Sequence, residues 1–234
     1  LHTMFQKVIF CLLFLFIPLN RAAVNTVANS PFTSSEPVSE LAAGEQLFEE
    51  MELGGTVNFI AFRQAVAGYN RIKEKSKPIL TLIDFSKPST EKRFFVFDME
   101  KKKLLYSSVV AHGRNSGENY ATSFSNQYGS YKSSLGFYLT ENTYQGGNGY
   151  SLILNGLEKG INDKAKARSI VVHGAPYANP SVAASGRLGR SLGCPALPTK
   201  LARPIINTIK DGSVMFIYAN NPHYLAQSNI LHKN

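Results

Sequence analysis

Apolar positions change their spacing three times along this chain. From Val8 to Ile17 they run unbroken behind Lys7 and stop at Pro18. An apolar stretch of about ten residues behind a basic one has the shape of a secretory signal peptide, and a membrane-spanning helix needs roughly 20. Thr26-Val27-Ala28 offers a small-x-small cleavage site. Residues 1–28 are therefore expected to be a signal peptide directing export to the periplasm or cell envelope, with a retained anchor as the alternative. Residues 29–38 are polar and contain two prolines, which predicts a linker. Between 39 and 53 the apolar residues Leu41, Leu47, Phe48 and Met51 lie among glutamates, and Gly54-Gly55 ends what reads as a short amphipathic helix. Asn58 can cap a second helix to Lys75, with Phe59, Phe62, Val66, Tyr69 and Ile72 on one stripe. That stripe predicts a helical segment, 39–75, docked on the main body; a groove for a partner helix is the alternative.

Beyond Pro78 the period shortens to that of strands. Runs at 79–85, 94–98 and 104–111 are β-branched or aromatic, and the charged turn 99–103 makes the last two a hairpin. Further strands are expected at 135–140, 150–154, 169–173 and 214–218. Thr199 is a candidate cap for a helix to Asp211, stopped by Gly212, with a first turn made irregular by Pro204. The residues after the last strand are polar and read as a loose tail, placed from 221 to 234. Many short strands and few helices predict a mainly β domain over 76–220, a sandwich or barrel-like body with a few peripheral helices.

Composition narrows the class. The 234 residues are 44% apolar, with two cysteines, so neither a disordered chain nor a disulfide scaffold is expected. Without residues 1–28, which hold Lys7 and Arg21 but no acid, the net charge falls from +9 to +7. Such a balance suits an anionic envelope polymer, although basic surfaces are common. The same cleavage removes Cys11 and leaves Cys194 alone where thiols tend to be oxidised, so it is either an intermolecular partner or a reactive thiol.

The candidate chemistry lies in the aperiodic stretch 174–198, which is long for a compact domain. His173 ends the strand before it, 21 positions ahead of Cys194. A thiol becomes a nucleophile with the help of a base, and an imidazole supplies one. On this reading His173 lowers the pKa of the Cys194 thiol. Gly193 lets the backbone approach a substrate, and the N–H groups of Gly193 and Cys194 are candidates for an oxyanion hole. Ser191, Arg187 and Arg190 are candidates for substrate binding, the arginines through a carboxylate. The plainer readings are a buried small thiol, a structural histidine, a loop serine and solvated charges.

These residues carry a family resemblance. The segment Gly186-Arg187-Leu188-Gly189-Arg190-Ser191-Leu192-Gly193-Cys194-Pro195-Ala196-Leu197 resembles the murein L,D-transpeptidase catalytic domain, the YkuD-like cysteine transpeptidases. Ala111-His112-Gly113-Arg114-Asn115-Ser116-Gly117, Ser133-Ser134-Leu135-Gly136-Phe137-Tyr138 and Arg168-Ser169-Ile170-Val171-Val172-His173-Gly174 are similar to further blocks of that family, over roughly residues 55–220. The resemblance implies a β-sandwich whose cleft holds Cys194 as nucleophile and His173 as base, the base oriented by the carbonyl of Gly174. It implies acyl transfer on peptidoglycan stem peptides, releasing terminal D-alanine and cross-linking through third residues. An amine, the lysine of an envelope lipoprotein or water are the acceptors open to one acyl-enzyme, water giving an L,D-carboxypeptidase. The family motif commonly has a second His where this chain has Leu192; His112 is a candidate to replace it at the substrate.

Three rivals stand beside this reading. A caspase-like peptidase needs a wider His-to-Cys separation. A zinc site from His112, His173, His223 and Cys194 lacks close ligand spacing, so no metal or other cofactor is expected. A non-catalytic cell-wall-binding module would not need the thiol. No nucleic-acid partner is expected.

Overall fold

A computed structural model describes residues 38–232, in which strands dominate and five α-helices are peripheral. The expected signal peptide, its cleavage site and the linker up to residue 37 lie outside the described residues. Helix α1 covers Val38–Glu50 and α2 covers Phe59–Arg71. Asn58 caps α2 as its position predicts: its Oδ1 accepts from the N–H groups of Ile60 (3.0 Å) and Ala61 (3.3 Å). The helix stops short of Lys75 because Ile72 turns extended, and Lys73 and Lys75 donate their ammonium groups to the carbonyls of Asn70 and Ile72.

The strands are β1 (Ile79–Asp84), β2 (Phe94–Asp98), β3 (Lys103–Ser108), β4 (Gly136–Gly146), β5 (Gly149–Gly156), β6 (Val171–Gly174), β7 (Ala196–Leu197) and β8 (Val214–Tyr218). They hydrogen-bond in one sheet of order β3-β2-β1-β8-β4-β5-β6-β7, rather than as two separately paired sheets. Every residue of β1, β2 and β8 is buried, which accounts for their unbroken apolar runs. β1 pairs parallel with β8, Leu80 opposite Val214, as the third and fourth strands of the order. The chain leaving β3 at one edge reaches β7 at the other: Ala111 and Ala196 exchange N–H···O bonds of 2.8 and 3.3 Å. The sheet therefore curls until its two edges meet, and this junction holds the cysteine loop.

The apolar stripe of α2 docks on the sheet as expected. Phe62 is fully buried edge-on to Phe97, ring centroids 5.1 Å apart. Gly68 is required by close approach, because a Cβ there would lie 2.1 Å from Phe137 Cζ. α4 (Thr199–Ile209) packs on β6 with Ile205, Ile206 and Ile209 buried. Its cap position is Pro198, not Thr199, and the Thr199 N–H is taken by Asn179 Oδ1 at 3.0 Å. Pro204 sits inside this helix without breaking it. Within 174–198, short helical turns at Pro176–Ala178 and at α3 (Pro180–Ala183) precede β7.

The loose tail is a correction. Residues after β8 form α5 (Pro222–Gln227), and Tyr224, Ile230 and Leu231 are buried. Buried Glu158 receives the Tyr224 hydroxyl (3.1 Å), the Ser228 hydroxyl and the Phe137 N–H (2.7 Å), while Arg71 donates to the carbonyls of Ile230 and Leu231. Polar composition concealed a segment pinned by a few buried groups.

Candidate active site

Cys194 lies two residues before Ala196 of β7, and Ala196 pairs with His173 of the neighbouring parallel strand β6. Sheet register thus carries Cys194 to the strand that ends with His173, 21 positions earlier in the sequence, with the sulfur against Val171. The sulfur is buried, the residue being 8% exposed. Its two polar contacts are main-chain groups: the Val171 N–H points at Sγ from 3.5 Å, and Sγ–H donates to the Ser169 carbonyl at 3.6 Å. Ser169 holds a left-handed φ of 57°, which starts β6 two residues later than the apolar pattern predicts.

The turn carrying the cysteine is held on both sides. Ser191 Oγ donates to the Cys194 carbonyl (2.6 Å) and accepts the Gly193 N–H (3.1 Å). Fully buried Ser133 donates to the Gly193 carbonyl (3.1 Å) and accepts the Gly113 N–H (3.0 Å). Gly193 is at φ 126°, and a Cβ there would lie 2.8 Å from Ile170 Cδ1 and 2.9 Å from the Lys132 carbonyl. Only glycine fits this position. The Gly193 N–H is therefore occupied by Ser191 and is not a free oxyanion donor, contrary to expectation. The Cys194 N–H has no acceptor among the described residues.

His173 is buried, and its Nδ1 lies 3.1 Å from the Gly174 carbonyl. A carbonyl only accepts, so Nδ1 carries the proton and Nε2 keeps its lone pair. Burial holds the imidazole below its ordinary 6.5 against that hydrogen bond, and burial pushes the thiol above its ordinary value against the Val171 N–H and the Arg168 charge. Both shifts favour neutral groups. A thiol raised by burial corrects the expectation of a thiol with its pKa lowered by His173; the charge that opposes the rise is that of Arg168.

The remaining candidates are placed otherwise. His112 is 1% exposed; its Nδ1 accepts from Arg93 Nη2 (2.7 Å) and its Nε2 donates to the Gly117 carbonyl (3.2 Å). Burial and the charge of Arg93 lower its pKa to about 4. With both nitrogens taken, it is a neutral structural residue and not a substrate group. Arg187 Nε (3.0 Å) and Arg190 Nη1 (2.6 Å) share the carboxylate of Glu118, tying two loops together where a free carboxylate site was expected. Leu192 is 57% exposed and puts an apolar surface where the family motif commonly has histidine. No cluster of three or more potential metal ligands is present among the described residues.

The profile of the family described as the L,D-transpeptidase catalytic domain matches residues 54–218, from the turn before Asn58 to the end of β8. The chain belongs to that family. No curated protein matches it. Among solved structures, this L,D-transpeptidase domain is similar to an L,D-transpeptidase from Mycobacterium smegmatis (13% identity, 61% of this chain, 59% of that chain, TM-score 0.37). It is also similar to L,D-transpeptidase 3 from Mycobacterium tuberculosis (14%, 60% and 61%, 0.38) and to one from Stackebrandtia nassauensis (14%, 80% and 81%, 0.36). The chain spans under two thirds of the length of the two mycobacterial proteins.

Two residues not singled out as site candidates hold the surroundings of the cysteine turn: Ser133, bonded to Gly193, and Arg168, bonded to the loop 125–134. Both stand in segments that carry the family resemblance, but their partners are main-chain groups and serine hydroxyls of distant loops. Neither spacing nor residue type announces such contacts.

Proposed function

We propose that this chain is an exported cysteine acyltransferase that performs L,D-transpeptidation on peptidoglycan stem peptides. The observation that carries the reading is the bond from His173 Nδ1–H to the Gly174 carbonyl, which leaves Nε2 as a neutral base on the strand beside Cys194. Family membership supports the substrate class.

In this reaction His173 Nε2 takes the Sγ–H proton as sulfur attacks the carbonyl carbon of the third stem residue. The oxyanion so formed is received by the Cys194 N–H. Collapse breaks the bond to D-alanine, whose nitrogen takes the proton back from Nε2, and leaves a thioester on Sγ. The amine of a second stem then attacks the thioester and gives up a proton to His173, which passes it to the departing sulfur and so restores the neutral thiol and imidazole. Neutral thiol and neutral imidazole are the right starting pair, because charge then develops only as the proton moves.

Purified protein given tetrapeptide muropeptides should release D-alanine and form a dimer linked through third residues, and Cys194→Ala should do neither. Tripeptide without dimer would make it an L,D-carboxypeptidase, and a dimer built on a lipoprotein lysine would make it an anchoring enzyme. No turnover by the native chain, with wall binding unchanged in Cys194→Ala, would leave a wall-binding module. Export rests on the apolar run behind Lys7, and N-terminal sequencing of envelope-fraction protein tests it; an intact N-terminus in the cytosol would end that part of the reading.

A further inference from the structure

Arg168 stands one residue before the turn whose carbonyl meets the sulfur. Its side chain leaves that strand entry and crosses to the facing loop. Nη1 donates to the Ser125 carbonyl (2.9 Å) and Ser134 Oγ (2.6 Å), and Nη2 donates to the Lys132 carbonyl (2.8 Å) and Ser130 Oγ (3.2 Å). All four acceptors lie in residues 125–134, the wall from which Ser133 holds the Gly193 carbonyl and Lys132 touches Gly193. Every acceptor is neutral. Among the described residues no carboxylate pairs with this half-buried guanidinium, and its buried Nε finds no acceptor.

The polar surroundings of Sγ explain why such a charge matters. The Ser169 carbonyl presents its negative end to the sulfur and so favours the thiol. Among the described residues, the Val171 N–H is the single hydrogen-bond donor aimed at Sγ. A sulfur becoming an anion there meets one long hydrogen bond, one opposing carbonyl and the unpaired cation of Arg168. In a buried setting a cation without a carboxylate acts on its neighbours with little screening.

We propose that Arg168 is a positioning residue for Cys194: it clamps the 125–134 wall onto the cysteine turn and keeps a positive charge without a carboxylate partner on that wall, stabilising the thiolate as it forms. Only the use of that thiolate in acyl transfer rests on the function proposed above. The coupling of charge to sulfur does not.

Alkylation of Cys194 by iodoacetamide, in which the thiolate sulfur displaces iodide, reads the coupling without any stem peptide. In the folded full chain, Arg168→Gln should move the inflection of alkylation rate to higher pH and slow the reaction at pH 7 about tenfold. An inflection unmoved in folded Arg168→Gln, whatever its thermal stability, would overturn the inference. Arg168→Lys keeps the charge but has one nitrogen where two arms are needed. It should hold the native inflection while kcat/KM on muropeptides falls several-fold. If Arg168→Gln does not fold, this variant decides, and native kcat/KM in Arg168→Lys would count against the clamp. A native chain that turns over no muropeptide, alongside a shifted inflection in Arg168→Gln, would sink the proposed function and leave this inference standing.

Discussion

Ser133 and Gly193 are joined by a 3.1 Å hydrogen bond from the serine hydroxyl to the glycine carbonyl, 60 residues apart in sequence. The bond turns that peptide so that its other end, the Cys194 N–H, faces away from Ser133. One hydroxyl thus sets the direction of the proposed oxyanion donor, and the left-handed Gly193 allows it. Ser133→Ala would strand two buried main-chain groups, the Gly193 carbonyl and the Gly113 N–H. The expected loss is about 1–3 kcal/mol of stability, read as a lower denaturation midpoint, with turnover falling further than stability explains. A variant with the native midpoint and turnover would remove Ser133 from this role.

The pH dependence of turnover follows from His173. Burial lowers its pKa from 6.5, and the proposed mechanism requires the neutral ring. For the proposed transfer, the acid limb of kcat/KM for a stem peptide should therefore be centred below pH 6.5. An acid limb centred above 6.5 would show that another group governs proton transfer.

Stability should show a separate acid step from His112. The unfolded chain takes this proton near 6.5 and the folded chain at about 4. The folded state is thus fully stabilised above pH 6.5 and loses stability as pH falls through the window from 6.5 to 4, by about 3 kcal/mol. His173 adds in the same direction. Denaturation midpoints across that window should flatten in His112→Gln relative to the native chain, and parallel curves would refute the assignment.

The segment after β8 can be tested at Ser228. Its hydroxyl donates to Glu158, whose pKa burial has already raised. Ser228→Ala should cost about 1–3 kcal/mol, measured by denaturant unfolding. A loose tail would give no change.

Legibility in the sequence tracked how local each cause is. Asn58 announced the start of α2 because a cap acts on N–H groups two and three residues away, and the runs at β2 and β8 coincide with the observed strands because those strands are buried throughout. β4 runs six residues past its expected end at 140 because its polar half, from Glu141 to Gly146, is held by a hairpin with β5 rather than by apolar alternation. α5 was unreadable because its anchor, Glu158, lies 66 residues from Tyr224. At the site, the spacing of His173, Gly174 and Cys194 was legible. The pairing of Arg187 and Arg190 with Glu118, the burial of His112 and the four neutral acceptors of Arg168 depend on loops that meet only when the sheet curls.

That curl has a consequence in time. The parallel β1–β8 pair, third and fourth in the sheet, joins Leu80 to Val214, and no shorter route supplies β1 with that neighbour. A chain growing from its N-terminus can form the β1–β2–β3 hairpins early, but one flank of β1 stays unpaired until residue 218 has been made. Contacts of such long sequence separation fold slowly, and an open strand flank invites wrong partners meanwhile. Synthesis rate and chaperone contact should therefore govern the yield of this domain more than the stability of its finished core does.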